Sequence, residues 1–295
     1  MNIGLYLNYM KGKKSKSSKK KVNVVEMIVR GKSSHAMIQH QVMAQRFSYQ
    51  LNYPSDNIHP KPSVTERKNQ STMTQEEKNR FITGIQTLIS AGLYGPHVAH
   101  HAMTPVNHMM HSMMGPVGTQ RFLPWHRVFL FELEEMLQAQ DPQSFIPYWD
   151  WSVDQGIPQW LQAFTPTVVV NGLPRTVTRS PGQGFPNLPS PQDVNSVLSQ
   201  TTYTSFTLDL EGGTPSQMHN GVHQWVGGIM NNIEYSPTDP LFWLHHANID
   251  RIWASWQQNH PNEHPNLTMA QALMDPWTFN ELDTRDIANF GYVYV

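Results

Sequence analysis

Histidine is the residue through which this chain could do chemistry, and its placement is uneven. Of fifteen histidines, six fall between His97 and His126, four fall between His219 and His246, and none lies between them. A neutral imidazole is a common metal ligand and a general base at physiological pH. The split therefore predicts two groups of ligands that folding must bring together.

The downstream group has the clearer spacing. His219 and His223 are four residues apart in a stretch that reads as a helix, so they share one face and could hold one metal at ~2 Å per bond. His245 and His246 follow in an otherwise apolar helix, where neighbouring side chains point ~100° apart, so one of the two reaches that metal. Asp250 favours His246, because it lies one turn further on and could accept a ring N–H.

The upstream group supplies His126 from an amphipathic helix, and His101 and His111 from the helix expected before it. No carboxylates accompany these histidines, which argues against magnesium or calcium. Imidazole ligation suits zinc or copper, and three histidines from each group indicate two metals. A zinc hydrolase is one alternative, but its His-Glu-x-x-His motif is missing, and "HNGVH" has no glutamate between its histidines.

Three long motifs carry a resemblance. "FLPWHRVFLFELE", "HNGVHQWVGG" and "SPTDPLFWLHHANIDRIW", in this order, resemble the tyrosinase family of type 3 copper proteins, over residues 65–295. "RKN" at 67–69 and "YVY" at 292–294 resemble the start and the closing tyrosine motif of that family, which implies that Arg67 packs near Tyr292 or Tyr294. The implied fold is mainly α: a helical bundle that holds a dicopper centre, with long loops and a minor β component.

The resemblance also implies the cofactors, two copper ions with O2 as co-substrate, and a ligand set. The implied ligands are His101, His111 and His126 for one copper, and His219, His223 and His246 for the other.

Three upstream histidines compete with that assignment. Many family members place the second ligand nine residues before the histidine of "PWH", where this chain has Val117, which cannot bind a metal. The run "MH...MGPVG..RFLPWHR" resembles a family variant in which His111 is the ligand, with His108 as its alternative. His97 and His100 compete with His101 and are interpreted as surface or hydrogen-bonded residues.

The implied activity is the ortho-hydroxylation of monophenols and the oxidation of o-diphenols to o-quinones, on small phenols such as tyrosine, DOPA and catechols. Glu211 and Asn220 are implied to hold a water that takes the phenol proton. A phenol of pKa ~10 needs a nearby base before it binds a metal as phenolate. Asn220 favours monophenol hydroxylation as well as diphenol oxidation.

Two alternative functions stay open. The first is a catechol oxidase or o-aminophenol oxidase that lacks hydroxylation, because its metal ligands would be the same. The second is an oxygen carrier like the hemocyanins. Larger family members carry a C-terminal domain that covers the site, whereas this chain ends at Val295, just after the tyrosine motif. We therefore expect an open site, which argues against a carrier.

Composition sets broader limits. The net charge is −1 and no run of eighteen apolar residues occurs, so neither nucleic acid nor a membrane is expected as a partner. Cysteine is absent, which excludes disulfides and thiolate ligands.

Residues 1–60 are interpreted as a basic, partly disordered extension and residues 61–295 as the catalytic domain. The basic run follows the apolar opening, the wrong order for a secretory signal, so a cytoplasmic location is favoured.

These side chains require helices to position them. The turn between two short strands is expected at Asn171-Gly172. Five helices are predicted: one capped by Thr74 and Glu77 and ended by Gly92, one over 97–111, one from Pro124 to Asp141-Pro142, one from Thr214 to Gly227-Gly228, and one over 240–258.

Overall fold

The structure is a computed structural model that describes residues 64–102, 110–213 and 217–295. Within these ranges the chain is mainly helical, as expected. The helices are α1 (Gln75–Ser90), α2 (Tyr94–Ala102), α3 (Pro116–Gln138), α4 (Gln159–Gln162), α5 (Pro191–Leu198), α6 (Tyr203–Gly212), α7 (Met218–Val226) and α8 (Leu241–Asn259). The expected basic extension and the alternative ligand His108 lie outside the described residues.

Two pairs of short strands complete the secondary structure. Strand β1 (Thr65–Arg67) pairs in parallel with β4 (Tyr292–Tyr294), and β2 (Thr167–Val170) pairs with β3 (Leu173–Thr176) as a hairpin. The hairpin turns at Asn171 (φ 50°) and Gly172 (φ 77°), which confirms the predicted turn. In the described ranges, no helix combines the length and the apolarity needed to cross a membrane.

The pairing of β1 with β4 joins the two ends of the described chain. The Arg67 guanidinium lies 3.5 Å from the centre of the Tyr292 ring and donates to the Tyr294 hydroxyl at 3.1 Å. It also binds the Glu134 carboxylate at 3.0 Å, deep inside the protein. The expected packing of Arg67 against the tyrosine motif is confirmed.

The long helix α3 begins eight residues before the predicted start. Pro116 occupies its first turn, and Pro124, expected there, lies inside the helix. A proline has no N–H to donate to the carbonyl four residues earlier, here Gln120. The hydroxyl of Tyr203 donates to that carbonyl instead, at 3.1 Å. A tertiary contact therefore makes the internal proline tolerable, and His126 lies in the body of the helix rather than in its first turn.

The prediction of one helix over 97–111 was wrong. Helix α2 ends at Ala102, residues 103–109 are not described, and His111 has an extended backbone (φ −131°, ψ 142°) before a short 3₁₀ turn, Ser112–Met114. The start of α3 packs against this residue so closely that a Cβ on Gly118 would overlap the His111 carbonyl. Tertiary packing therefore overrides local helix propensity at His111.

Some of the other predicted helix boundaries agree with the structure and some do not. Helix α7 begins at Met218, after Gln217 in a left-handed conformation (φ 42°), and the predicted start, Thr214, lies outside the described residues. Its end at Gly227, and the bounds of α1 and α8, agree with prediction. Helices α4, α5 and α6 were not predicted, although Ser190 and Asp193 form a capping box that marks the start of α5.

Candidate metal centre

The downstream histidines meet through their Nε2 atoms. His219 and His223 come from α7, one turn apart, and His246 comes from α8. The Nε2 of His219 lies 3.1 Å from that of His223 and 3.1 Å from that of His246, and the third separation is 3.3 Å. A point equidistant from the three nitrogens lies about 1.8 Å from each, close to the ~2 Å of a metal–nitrogen bond.

Hydrogen bonds on the far side of two of these rings set their tautomers. The Nδ1 of His219 donates to the Asn220 amide oxygen at 3.0 Å, and the Nδ1 of His223 donates to the Met230 carbonyl at 2.8 Å. A neutral imidazole that donates from Nδ1 has a lone pair on Nε2. Two lone pairs therefore face each other with no proton between them, an arrangement that a cation would stabilise.

The upstream histidines form a second group from three different segments. His101 lies at the end of α2, His111 in the extended segment and His126 inside α3. The Nε2 of His126 lies 3.3 Å from that of His101, and the His111 ring centre lies 5.4 and 5.2 Å from those of His101 and His126. Donor atoms of all three lie within 4.8 Å of one another, so this group too could hold one metal ion.

Two of the three tautomers in the upstream group are set in the same manner. The Nδ1 of His126 donates to the Phe122 carbonyl at 2.7 Å, and that of His111 donates to the Glu211 carboxylate at 3.1 Å. The Nε2 of His111 then carries a lone pair, and it is buried with no hydrogen-bond partner among the described residues. A buried lone pair that accepts no hydrogen bond is suited to bind a metal ion.

The two groups adjoin each other. The rings of His126 and His246 stack with centres 4.5 Å apart and planes within 16°. Those of His111 and His219 lie 6.0 Å apart. The histidines that are far apart in the sequence therefore line one site, which can hold two metals side by side.

Burial keeps five of these imidazoles uncharged. Loss of solvation, followed by repulsion from neighbouring histidines, lowers the pKa of His101, His126, His219 and His246 well below the ordinary value. Burial also lowers the pKa of His223 to about 4. At neutral pH these side chains offer lone pairs rather than positive charges, which is the state that a metal site requires.

The competing histidines have other surroundings. His97 packs between Phe129 and Trp243, with ring centres 4.6 and 5.4 Å away, and is a core residue. His100 contacts the edge of Trp277 at 5.6 Å. His245, interpreted from the sequence as a neighbour, lies within the downstream group, and its donor atom is within 4.8 Å of the others.

The proposed hydrogen bond from His246 to Asp250 was wrong. Asp250 accepts from Arg127 at 2.6 Å and from the hydroxyls of Tyr292 and Tyr294, each at 2.6 Å. A hydrogen bond between a carboxylate and a buried guanidinium is stronger than one between a carboxylate and a neutral imidazole, so Asp250 binds Arg127. His246 is instead oriented by packing, with its ring 4.0 Å from that of Phe242.

Glu211 and Asn220 each contact a histidine of a different group. Glu211, in the last turn of α6 and 2% exposed, accepts from His111 and from the backbone N–H of Ser112 at 2.9 Å. Asn220 accepts from His219. A Cβ on Gly212 would lie 2.5 Å from the Asn220 amide nitrogen, so the absence of a side chain at this position makes room for the amide.

Comparison with known proteins agrees with this geometry. The family model described as the common central domain of tyrosinase matches residues 91–181 and 165–259. A tyrosinase from Streptomyces antibioticus is 35% identical over 257 residues, which cover 72% of this chain and 93% of that protein.

Solved structures share the fold. A functional unit of octopus hemocyanin superposes with a TM-score of 0.59 at 22% identity, covering 78% of this chain and 68% of that one. A tyrosinase from Burkholderia thailandensis gives 0.56 at 18% identity, covering 79% and 73%. With the site geometry, these matches establish that the chain belongs to the tyrosinase family, whose enzymes use O2 at a pair of copper ions.

Proposed function

We propose that this protein hydroxylates monophenols at the ortho position and oxidises o-diphenols to o-quinones, with tyrosine, DOPA and catechols as the substrate class. The proposed ligands are His101, His111 and His126 for one copper, and His219, His223 and His246 for the other. Copper supplies the exchange of electrons with O2 when bound. The contribution of the chain is to hold the metals, to orient the phenol and to move its proton.

The tautomers described above prepare the histidines to bind metal ions. The Nδ1–H groups of His111, His126, His219 and His223 all have oxygen acceptors behind them, so their Nε2 lone pairs are directed inward before any metal binds. Preorganised neutral ligands suit both oxidation states of copper, because neither state requires the rings to reorient.

The observation that carries the proposed hydroxylation is that Glu211 contacts His111 of one group and Asn220 contacts His219 of the other. Deprotonating a phenol of pKa ~10 at neutral pH costs about 4 kcal/mol, so a base beside the metals would help. The missing side chain of Gly212, the residue after Glu211, leaves room for the Asn220 amide. We propose that a water held by this pair takes the phenol proton.

Conservative variants test these roles. Glu211→Gln and Asn220→Asp keep an oxygen that can accept from the adjacent histidine, so the metal ligands stay oriented while the charge changes. Oxygen uptake by copper-loaded protein should fall about tenfold or more on tyrosine and clearly less on DOPA. Glu76→Gln and Asn195→Asp, at exposed positions, are the matched controls and should behave as the unmodified protein.

Copper content must be measured for every variant, so that rates are expressed per bound metal. Equal losses on tyrosine and DOPA would contradict a role in phenol deprotonation.

A second candidate is an oxidase of catechols or o-aminophenols without hydroxylation. One observation favours it: both Glu211 oxygens already accept from the Ser112 N–H, and one also accepts from His111, which leaves fewer carboxylate lone pairs free to hold a water. Adding o-aminophenol to the substrate panel separates the two candidates. Oxygen uptake on DOPA or o-aminophenol but none on tyrosine would favour the second, and reversible O2 binding without turnover would favour a carrier.

A further inference from the structure

The downstream group contains one histidine more than the proposed copper needs. His219, His223, His245 and His246 each have a ring nitrogen within 4.8 Å of the others. The His245 ring stacks on that of His219 at 5.2 Å and meets that of His223 at 4.9 Å. Four imidazoles around one metal would make a closed tetrahedral site, the form typical of structural zinc, with no position left for a substrate.

A tryptophan decides which nitrogen of His245 carries the proton. The Trp151 indole N–H donates to the Nδ1 of His245 at 3.0 Å, and both side chains are fully buried. An indole N–H can only donate, so His245 Nδ1 must carry the lone pair and its proton must be on Nε2.

We propose that Trp151 is a positioning residue that excludes His245 from the metal by holding it in the Nε2–H tautomer. Its Nδ1 lone pair is occupied by Trp151, and its Nε2 has no lone pair to offer. If His245 bound the metal through Nε2, its proton would move to Nδ1 and face the indole N–H. Two buried donors would then lack an acceptor, which is unfavourable.

The consequence is a site limited to three protein ligands. A three-histidine site leaves an open position, which catalytic metal sites have and structural sites lack. Trp151 would therefore set the coordination number and the preference between copper and zinc. The inference rests on the proposed ligation of one copper by His219, His223 and His246.

The first test measures the tautomer directly. In the metal-free full chain labelled with 15N-histidine, long-range 1H–15N correlation spectra should show His245 with its proton on Nε2. A proton on Nδ1 would overturn the proposal. This measurement needs no variant, so it decides the question even if substitution at position 151 prevents folding.

The second test releases His245. Trp151→Phe removes the donor and keeps an aromatic ring, and Zn²⁺ affinity measured by chelator competition should rise about tenfold or more. The matched control is Trp149→Phe, because Trp149 is equally buried but donates to the Asp154 carbonyl, at 2.9 Å. The control should leave Zn²⁺ affinity unchanged.

The double variant Trp151→Phe/His245→Phe should return Zn²⁺ affinity to that of the unmodified protein, because the added ligand is gone. A folded Trp151→Phe protein with unchanged Zn²⁺ affinity would overturn the proposal. Failure of the proposed function gives a different result: the unmodified protein would not bind two copper ions per chain.

Discussion

The two histidine groups consist of the same kind of metal ligand, but different parts of the structure position them. In the downstream group, His219 and His223 come from one helix and His246 from a second, so helical geometry supplies most of the arrangement. In the upstream group, His111 lies on extended backbone between a Glu211 carboxylate and the close approach of α3 at Gly118. The downstream site is therefore set by local spacing, and the upstream site depends on contacts that only the folded chain provides.

This difference has consequences for how each group can fail. A helix holds its own side chains in register, so a downstream histidine is displaced only when the helix moves. The upstream His111 is held by groups from α3 and α6, and a change in either helix is sufficient to displace it. The first and third of the four predictions below test this asymmetry directly.

The largest effect is expected from Gly118→Ala. Its Cβ would overlap the His111 carbonyl, so the extended segment must move and His111 with it. We expect loss of one copper per chain and of oxygen uptake on every phenol, with the downstream copper retained. The control is Gly156→Ala, where a Cβ meets nothing within 4 Å. Copper content by elemental analysis checks this, and two coppers in folded Gly118→Ala protein would refute the comparison.

Asp250→Asn should affect stability rather than metal binding. Asp250 lies on α8 one turn after His246 but pairs with Arg127, Tyr292 and Tyr294. Removing its charge leaves a buried guanidinium unpaired, so the free energy of unfolding should fall by about 3–5 kcal/mol. Urea denaturation measures this, and copper stoichiometry should not change.

The control for that change is Asp150→Asn, which weakens a more exposed pair with Arg251, whose side chains are 17% and 25% exposed, and should cost clearly less, about 1 kcal/mol. A loss of downstream copper from folded Asp250→Asn protein would contradict this expectation and would favour a direct hydrogen bond between Asp250 and His246.

Gly212→Ala should disturb the downstream group mildly. The added Cβ would lie 2.5 Å from the Asn220 amide nitrogen and would displace the amide that orients His219. Because α7 still holds the ring, we expect about a tenfold loss of copper affinity, not loss of the ion. Chelator competition measures the affinity, with Gly156→Ala again as control. A complete loss of downstream copper would show that helical spacing does not hold this group.

The smallest effect is a change in the pH dependence of stability. Burial, then repulsion from Glu135, raises the pKa of Glu132 on α3 to about 8. A raised carboxyl pKa means that the stability it contributes is present below about pH 4.5 and is lost as the pH rises through 8. Glu132→Gln should therefore reduce the loss of stability at alkaline pH. At pH 9 its free energy of unfolding should be about 1–3 kcal/mol higher, which a melting-temperature profile against pH detects.

The histidines act on the opposite side of the pH range. Their folded pKa values are lowered, so stability is lost as the pH falls below about 6.5, where the unfolded chain takes up protons. Below about pH 4.5, where Glu132 is protonated in both the folded and the unfolded chain, the acid limb should be unchanged in Glu132→Gln protein. Exposed Glu76→Gln should alter neither limb, and an altered limb below about pH 4.5 in Glu132→Gln protein would mean that Glu132 and the histidine groups titrate together.

Much of the helical framework could be read from the sequence where signals are local. The capping box at Thr74, the glycine stop at Gly227 and the Asn171-Gly172 turn are signals within a few residues. The start of α3 could not be read, because the internal Pro124 is tolerated only through a hydroxyl from distant Tyr203. The hydrogen-bond partner of His246 was predicted wrongly because Asp250 binds Arg127 on another helix.

The sequence by itself determined the residue types and the helical register: imidazoles in two groups, two of them one turn apart, and motifs that resemble one family. These are local properties of the chain, and they suffice for the fold class and the metal chemistry. Only the tertiary structure decided that His111 leaves the helix, that Glu211 lies behind it, and that Trp151 occupies a nitrogen of His245. Each of these depends on which polar groups meet in the buried interior, where an unpaired donor or acceptor is costly and partners come from remote segments.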